Sequence, residues 1–188
     1  MNSDTANEAY LLLNGFVREL ATPRYVFVLS ARWEAQSPVP GKVISAFQHM
    51  AQASLILNLY RLHETRSQFL VPFLFTENEL RTRGLISVEE FIGADGWGDF
   101  EILRHQYAGH ATAKKAKGNT SGHILPPERL GEAIRKTGLN EPSALFDRIE
   151  KELLPSIERV RNELGERFPA AKEFIATYAL AVERELKK

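Results

Sequence analysis

Residues 42–71 read KVISAFQHMAQASLILNLYRLHETRSQFLV, a stretch with neither glycine nor proline. Within it Ile44, Phe47, Ala51, Leu55, Leu59 and Leu62 step by three or four. That spacing lays an apolar stripe along one side of an α-helix. Pro40 and Gly41 mark the start, and Pro72 is expected to mark the end, because proline cannot continue the ladder. Leu57 and Tyr60 widen the stripe, as expected of a helix central to a bundle.

The same period recurs on both sides. Tyr10, Leu13, Phe16 (or Val17) and Leu20 point to a first helix from Asp4 to about Leu20. Downstream, Leu145, Ile149, Leu153, Ile157, Val160 and Leu164 repeat the helical spacing, with Pro155 expected to kink or split the run. After Pro169, Phe174, Ile175, Tyr178 and Val182 share one face of a last helix. Residues 24–35 contain Tyr25-Val26-Phe27-Val28-Leu29, which favours a strand by propensity. No second strand is evident to pair with it, so a helix is the better reading. Residues 76–90 read as short helices and turns, and the glycine-rich Ile92–Asp99 stretch as a loop. A helix follows from about Asp99 to Ala108, then a loop over 114–127 and a short helix from Pro126 to about Lys136. The fold class is therefore all-α, a helical bundle with added helices in a single domain over 1–188.

Composition narrows the chemistry. The 188 residues carry 24 Lys plus Arg against 24 Asp plus Glu, so the formal net charge is zero, and there is no cysteine. Disulfide frameworks, thiolate metal sites and cysteine nucleophiles are excluded. A bulk nucleic-acid coat is disfavoured, while a local basic patch remains open. The start is acidic and no apolar run reaches the ~18 residues of a membrane span, so a cytoplasmic protein away from the membrane is expected. Walker-type and dinucleotide-binding glycine patterns, zinc-protease and di-iron His–Glu spacings, and a nucleophile elbow are missing, and no cofactor or metal is called for.

One segment carries chemistry. Glu101-Ile102-Leu103-Arg104-His105-Gln106-Tyr107-Ala108-Gly109-His110 is followed by Lys114, Lys115 and Lys117. From Arg104 to Lys117 there are four fixed positive charges and no acid, and two histidines able to titrate near neutral pH. Such a set suits RNA cleavage by attack of the ribose 2′-hydroxyl. A histidine moves the proton, an arginine grips two phosphate oxygens, and lysines hold flanking phosphates. On a straight helix Arg104 and His110 would sit about 120° apart and about 9 Å along the axis. Helix termination at Gly109, or pairing across a two-fold axis, would be needed to bring them together. The plainer reading pairs Arg104 with Glu101 three residues earlier, and Arg61 with Glu64. Trp97 reads as a buried anchor.

Leu103-Arg104-His105 followed by Gly109-His110 and a basic stretch resembles the Arg-polar-x(3–5)-His motif of HEPN domains. The helix bearing Leu59-Tyr60-Arg61-Leu62 resembles the long central helix of their abortive-infection branch. His105 stands where the family commonly has Asn, and Gly109 where it commonly has Ala. The resemblance covers roughly residues 40–125. It implies a four-helix core, here about 40–140, packed with the N-terminal helix and the helices of 142–188. It implies a homodimer with Arg and His at the interface. It also implies a metal-independent ribonuclease of a phage-defence or toxin–antitoxin system, with an antitoxin or defence protein as partner. Arg104 and His110 would be catalytic and His105 would tune them, with Lys114, Lys115 and Lys117 on RNA. The alternative is a catalytically inactive member that binds RNA, nucleotide or a protein.

Overall fold

The computed structural model describes residues 3–36, 40–107 and 126–187. It is all-α, with no strand among the described residues. The first helix, α1 (Ser3–Glu19), buries Ala6, Ala9, Leu13 and Phe16 on one face. The adjoining α2 (Thr22–Gln36) resolves the ambiguous 24–35 stretch as helix. β-propensity loses here because α2 lies along the following helix, which offers a side-chain surface and no unpaired strand edge.

The long helix α3 (Gly41–Thr65) is about 37 Å long by its rise per residue. Ile44, Ala51, Leu55, Leu59 and Leu62 are buried as the stripe predicts, whereas Phe47 is exposed. Phe47 sits toward the α2 side, where its ring meets Trp33 edge-on at 5.7 Å. Pro72 does not end the helix. The chain passes into a π-helical stretch, Arg66–Leu74, with Pro72 inside it. The wider π turn relieves the clash that an α turn would impose on the ring. The Phe75 N–H then closes the stretch by donating to the Leu70 carbonyl at 2.8 Å.

Arg61 does not pair with Glu64. Its Nη1 donates to the Glu19 carboxylate at 2.7 Å, beside Asn58, whose amide donates to the Glu19 carbonyl at 3.2 Å. Both contacts tie the C-terminal end of α1 to α3, where the exposed carbonyls of α1 want donors.

Two short helices follow. In α4 (Glu77–Thr82), the Thr76 hydroxyl accepts from the Glu79 N–H and the Glu79 side chain accepts from the Thr76 N–H, a reciprocal cap. Ser87 caps α5 (Val88–Ile92). Gly93, at φ 102°, makes the break that a side chain would resist, and α6 (Ala94–Tyr107) starts directly after it. The stretch read as a glycine-rich loop is thus mostly the first turn and a half of a helix.

The C-terminal part comprises α7 (Pro127–Lys136), α8 (Pro142–Arg148) and a π-helical turn, Ile149–Leu153. It continues into α9 (Leu154–Arg167) and α10 (Pro169–Leu186). Pro155 does not split the run: the backbone stays right-handed helical from Arg148 through Leu154, and the π-helical turn Ile149–Leu153 just before the ring accommodates it. In α10 only Ala171 is buried, and Phe174, Tyr178 and Val182 are exposed instead of lining a covered face.

The core is a hydrophobic cluster running from Ala6 to Leu164, to which α1, α3 to α9 and both π-helical stretches contribute. Helix α1 lies against α3, α9 and α10; α6 lies on α3, and α7 on α6. A charged clamp fastens α4 to α9. Arg167 binds Glu79 at 2.6 Å and Glu163 at 2.5 Å, Arg83 binds Glu163, and both guanidinium groups lie over the Phe75 ring. Among the described residues no helix is long and apolar enough to cross a membrane.

Candidate functional site

The candidate site forms where α6 crosses the C-terminal half of α3. On α3, Tyr60 and His63 are three apart and share a face. On α6, Trp97, Phe100 and Arg104 step by three and four along the face turned to α3. Phe100 and Leu103 are fully buried and fix the rotation of α6. Trp97 lies nearly parallel to the buried Phe100 ring at 5.6 Å and touches His63 at 4.6 Å. The Tyr60 and Trp97 rings are parallel within 4°, with centroids 6.3 Å apart. Trp97 is therefore the middle of a half-buried aromatic stack, in a helix and not in a loop.

Arg104 completes the stack. Its guanidinium carbon lies 3.6 Å from the centroid of the Tyr60 ring, a close cation–π contact. The expected pairing with Glu101 is not formed, and among the described residues no ion pair joins the two. Position explains it. Arg104 is in the last turn of α6, and its side chain reaches across to α3, where the guanidinium carbon lies over the Tyr60 ring. A carboxylate on its own helix competes only weakly at an exposed site. His105, the next residue, points to solvent.

Helix α7 holds α6 from the other side. Asp99 is buried, and Arg129 and Lys136 of α7 both turn to it, Lys136 at 3.6 Å. Glu132 sits between the two cations, at 3.2 Å from Arg129 and 2.8 Å from Lys136. The Lys136 ammonium, and then Arg129, hold the Glu132 carboxyl below its usual range, and Glu132 in turn raises Lys136. Gly96 makes this approach possible. A Cβ there would come within 2.8 Å of the Lys136 carbonyl oxygen and 3.2 Å of the Ile92 side chain.

Of the residues singled out from sequence, Arg104 and His105 are placed at the C-terminal end of α6. His110, Lys114, Lys115 and Lys117 lie outside the described residues. Tyr60 escaped the sequence reading as the partner of Arg104, and so did His63 and Trp97 as the rings beside it. The available signal was spacing: Tyr60-x-x-His63 on the central helix and Trp97 seven residues before Arg104 both repeat the helical period. Among the described residues no group of three His, Asp or Glu converges as a metal site.

No family model, curated protein or solved structure matches this chain.

Chemically, the arrangement offers a guanidinium covered on one face by Tyr60, with no ion pair to it among the described residues. Stacking uses the π face and leaves the in-plane N–H donors for an anion with paired oxygens. Beside it stand aromatic faces of the kind that receive unstacked bases.

Proposed function

We propose that the chain is a metal-independent HEPN-type endoribonuclease of a phage-defence or toxin–antitoxin system. Arg104 binds the scissile phosphate and His110 acts as general acid/base. His105 orients the pair, and Lys114, Lys115 and Lys117 engage flanking phosphates. The observation that supports this reading is the seating of Arg104. Its guanidinium is stacked on Tyr60 at 3.6 Å, without the Glu101 ion pair that would neutralise it. A cation held against a ring in the last turn of a helix, with a run of basic residues following in the sequence, suits an incoming phosphate.

The reaction follows from those groups. The 2′-oxygen loses its proton to a base and bonds to the adjacent phosphorus. The bond from phosphorus to the 5′-oxygen breaks, and that oxygen gains a proton. The products are a 2′,3′-cyclic phosphate and a free 5′-hydroxyl. A histidine with an ordinary pKa near 6.5 serves either proton step. Arg104 offsets the negative charge that builds on the phosphoryl oxygens.

The aromatic stack beside Arg104 favours a second reading, an inactive relative in which Arg104, Trp97 and Tyr60 bind RNA or a nucleotide without cutting. Cleavage of single-stranded RNA in EDTA by the wild type, Arg104→Ala and His110→Ala separates the two. The ribonuclease reading expects cleavage in chelator and a loss of roughly 100-fold or more in each variant. Equal cleavage by all three proteins, or cleavage abolished by EDTA, rules it out. Binding that weakens in Arg104→Ala, with no cleavage by any of the three, assigns the second reading.

A further inference from the structure

Helix α2 meets α8 through the Phe27 and Phe146 rings, 5.8 Å apart. Beside that contact lies an open groove of about 680 Å³. Leu20, Phe146 and Ile149 line it from the core, and Leu154 lines it at the start of α9. On the α2 side it is lined by Val28 and Leu29, 43% and 46% exposed. Single apolar side chains in water are ordinary, but these are gathered in one concavity.

Charge is placed unevenly along it. Arg24 crosses from α2 to Asp147 at 3.1 Å and to Glu150, so two carboxylates answer its guanidinium. Arg32 lines the same groove eight residues on, about 12 Å along α2. It is exposed, and among the described residues no ion pair engages it. We propose that the groove binds a single-chain amphiphile with an anionic head, of the fatty-carboxylate class. The tail lies on the apolar lining and the head on Arg32.

Charge sets the orientation. An anionic head near Arg24 would meet Glu150 and Asp147, which already occupy that guanidinium. At Arg32 it meets a cation alone, whose donors suit the paired oxygens of a carboxylate. Size sets the class of ligand. The volume falls within the ~300–1,000 Å³ of small-molecule sites. From Ala21 to Arg32 the groove follows about 16 Å of α2. A peptide helix of that length, about 10–12 Å across, fills roughly 1,300–1,900 Å³, so it would rest on the opening without entering. None of the lining residues belongs to the Arg104 platform, and the inference does not rest on the ribonuclease reading.

Isothermal titration of the full chain with sodium dodecanoate, below its micelle concentration, tests it. One molecule is expected per chain. Octanoate should bind at least about tenfold more weakly, because each fully buried methylene is worth about fourfold. Dodecyltrimethylammonium, with the same tail and a cationic head, should lose at least about tenfold as well. Arg32→Ala should weaken dodecanoate at least about tenfold. Leu29→Glu should do the same, by setting a carboxylate one turn from Arg32. Both side chains are already exposed, so helical circular dichroism should not change. Leu180→Ala on α10 should leave binding intact. No uptake of dodecanoate up to about 1 mM overturns the proposal. Equal affinity for the two head groups, or uptake indifferent to both groove variants, also overturns it. Flotation of the chain with phosphatidylglycerol vesicles, without uptake of free dodecanoate, overturns it in favour of a membrane surface.

Discussion

Arg167 and Arg104 each lie on an aromatic ring, the first 4.6 Å from the Phe75 centroid and the second 3.6 Å from Tyr60. Their surroundings are opposite. Around Arg167 the charges close on themselves: Glu79 and Glu163 accept from it, Arg83 shares Glu163, and the group joins α4 to α9. Around Arg104 the support is apolar. Tyr60, Trp97, Phe100 and His63 build the platform, and the Glu101 carboxylate one turn back is not engaged. The first arrangement spends its charge on holding helices together. The second places a charge by packing, and among the described residues no carboxylate completes it. An arginine on a ring is therefore not informative by itself, and what decides its use is whether carboxylates complete it.

If the Arg104 platform is held by packing, it should fail through packing. Gly96→Ala puts a Cβ against the Lys136 carbonyl, a backbone atom that cannot swing aside. It should cost about 1–3 kcal/mol by forcing α7 off α6. Thermal unfolding followed by circular dichroism should show Tm lowered by about 3–10 °C. A Tm unchanged by Gly96→Ala would mean that α6 and α7 are not in close contact at that point.

The arginines themselves come next. Arg167→Ala removes two carboxylate contacts and a ring contact, and should cost about 1–2 kcal/mol, or about 3–6 °C in Tm. Arg104→Ala loses chiefly the cation–π contact, about 0.5–1 kcal/mol, or about 1–3 °C. The order of the two Tm values is the test. A larger drop for Arg104→Ala would make it the structural arginine and undercut the proposed role in phosphate binding.

The apolar spacing made α1, α3 and α9 legible in advance, because a stripe repeating every three or four residues has few other uses. Most of what failed depended on contacts far apart in sequence. Phe47 fits the α3 stripe, but the packing of α2 decides which side of the stripe is covered. Gly93, Gly96 and Gly98 together looked like a loop. One of them makes a turn at φ 102° and another clears space for α7, a helix more than 30 residues on. Pro72 looked like a terminus, because the choice between an α and a π turn lies in the local backbone and leaves no mark in the hydrophobic pattern. At the candidate site, Arg104 and His105 stood out by charge and chemistry. The ring that holds Arg104 did not, since Tyr60 belongs to the central helix and meets α6 only in the folded chain.

The smallest expected effect is in acid, and it falls on the closed side of the comparison alone. Glu79 is held down to about 2, first by the Thr76 backbone N–H and then by the Arg167 guanidinium and the Thr76 hydroxyl. Glu163 is lowered as well, chiefly by its hydrogen bond from Arg83. A carboxylate whose folded pKa lies below its unfolded value binds fewer protons in the native state. Its stabilisation is complete above the ordinary value near 4.5 and is lost as pH falls toward about 2. Glu79 is about a third exposed, so solvent screens the effect and the shift in Tm should be small. Glu79→Gln should therefore lower Tm by a constant amount above about pH 5.5, and the gap from wild type should close between about pH 4.5 and pH 2. Arg104→Ala, measured in parallel, should show no such closure, because no carboxylate among the described residues holds Arg104. A Glu79→Gln gap that stays constant down to pH 2 would mean that the α4–α9 clamp does not depend on the ionised carboxylate, and the contrast between the two arginines would lose its charged half.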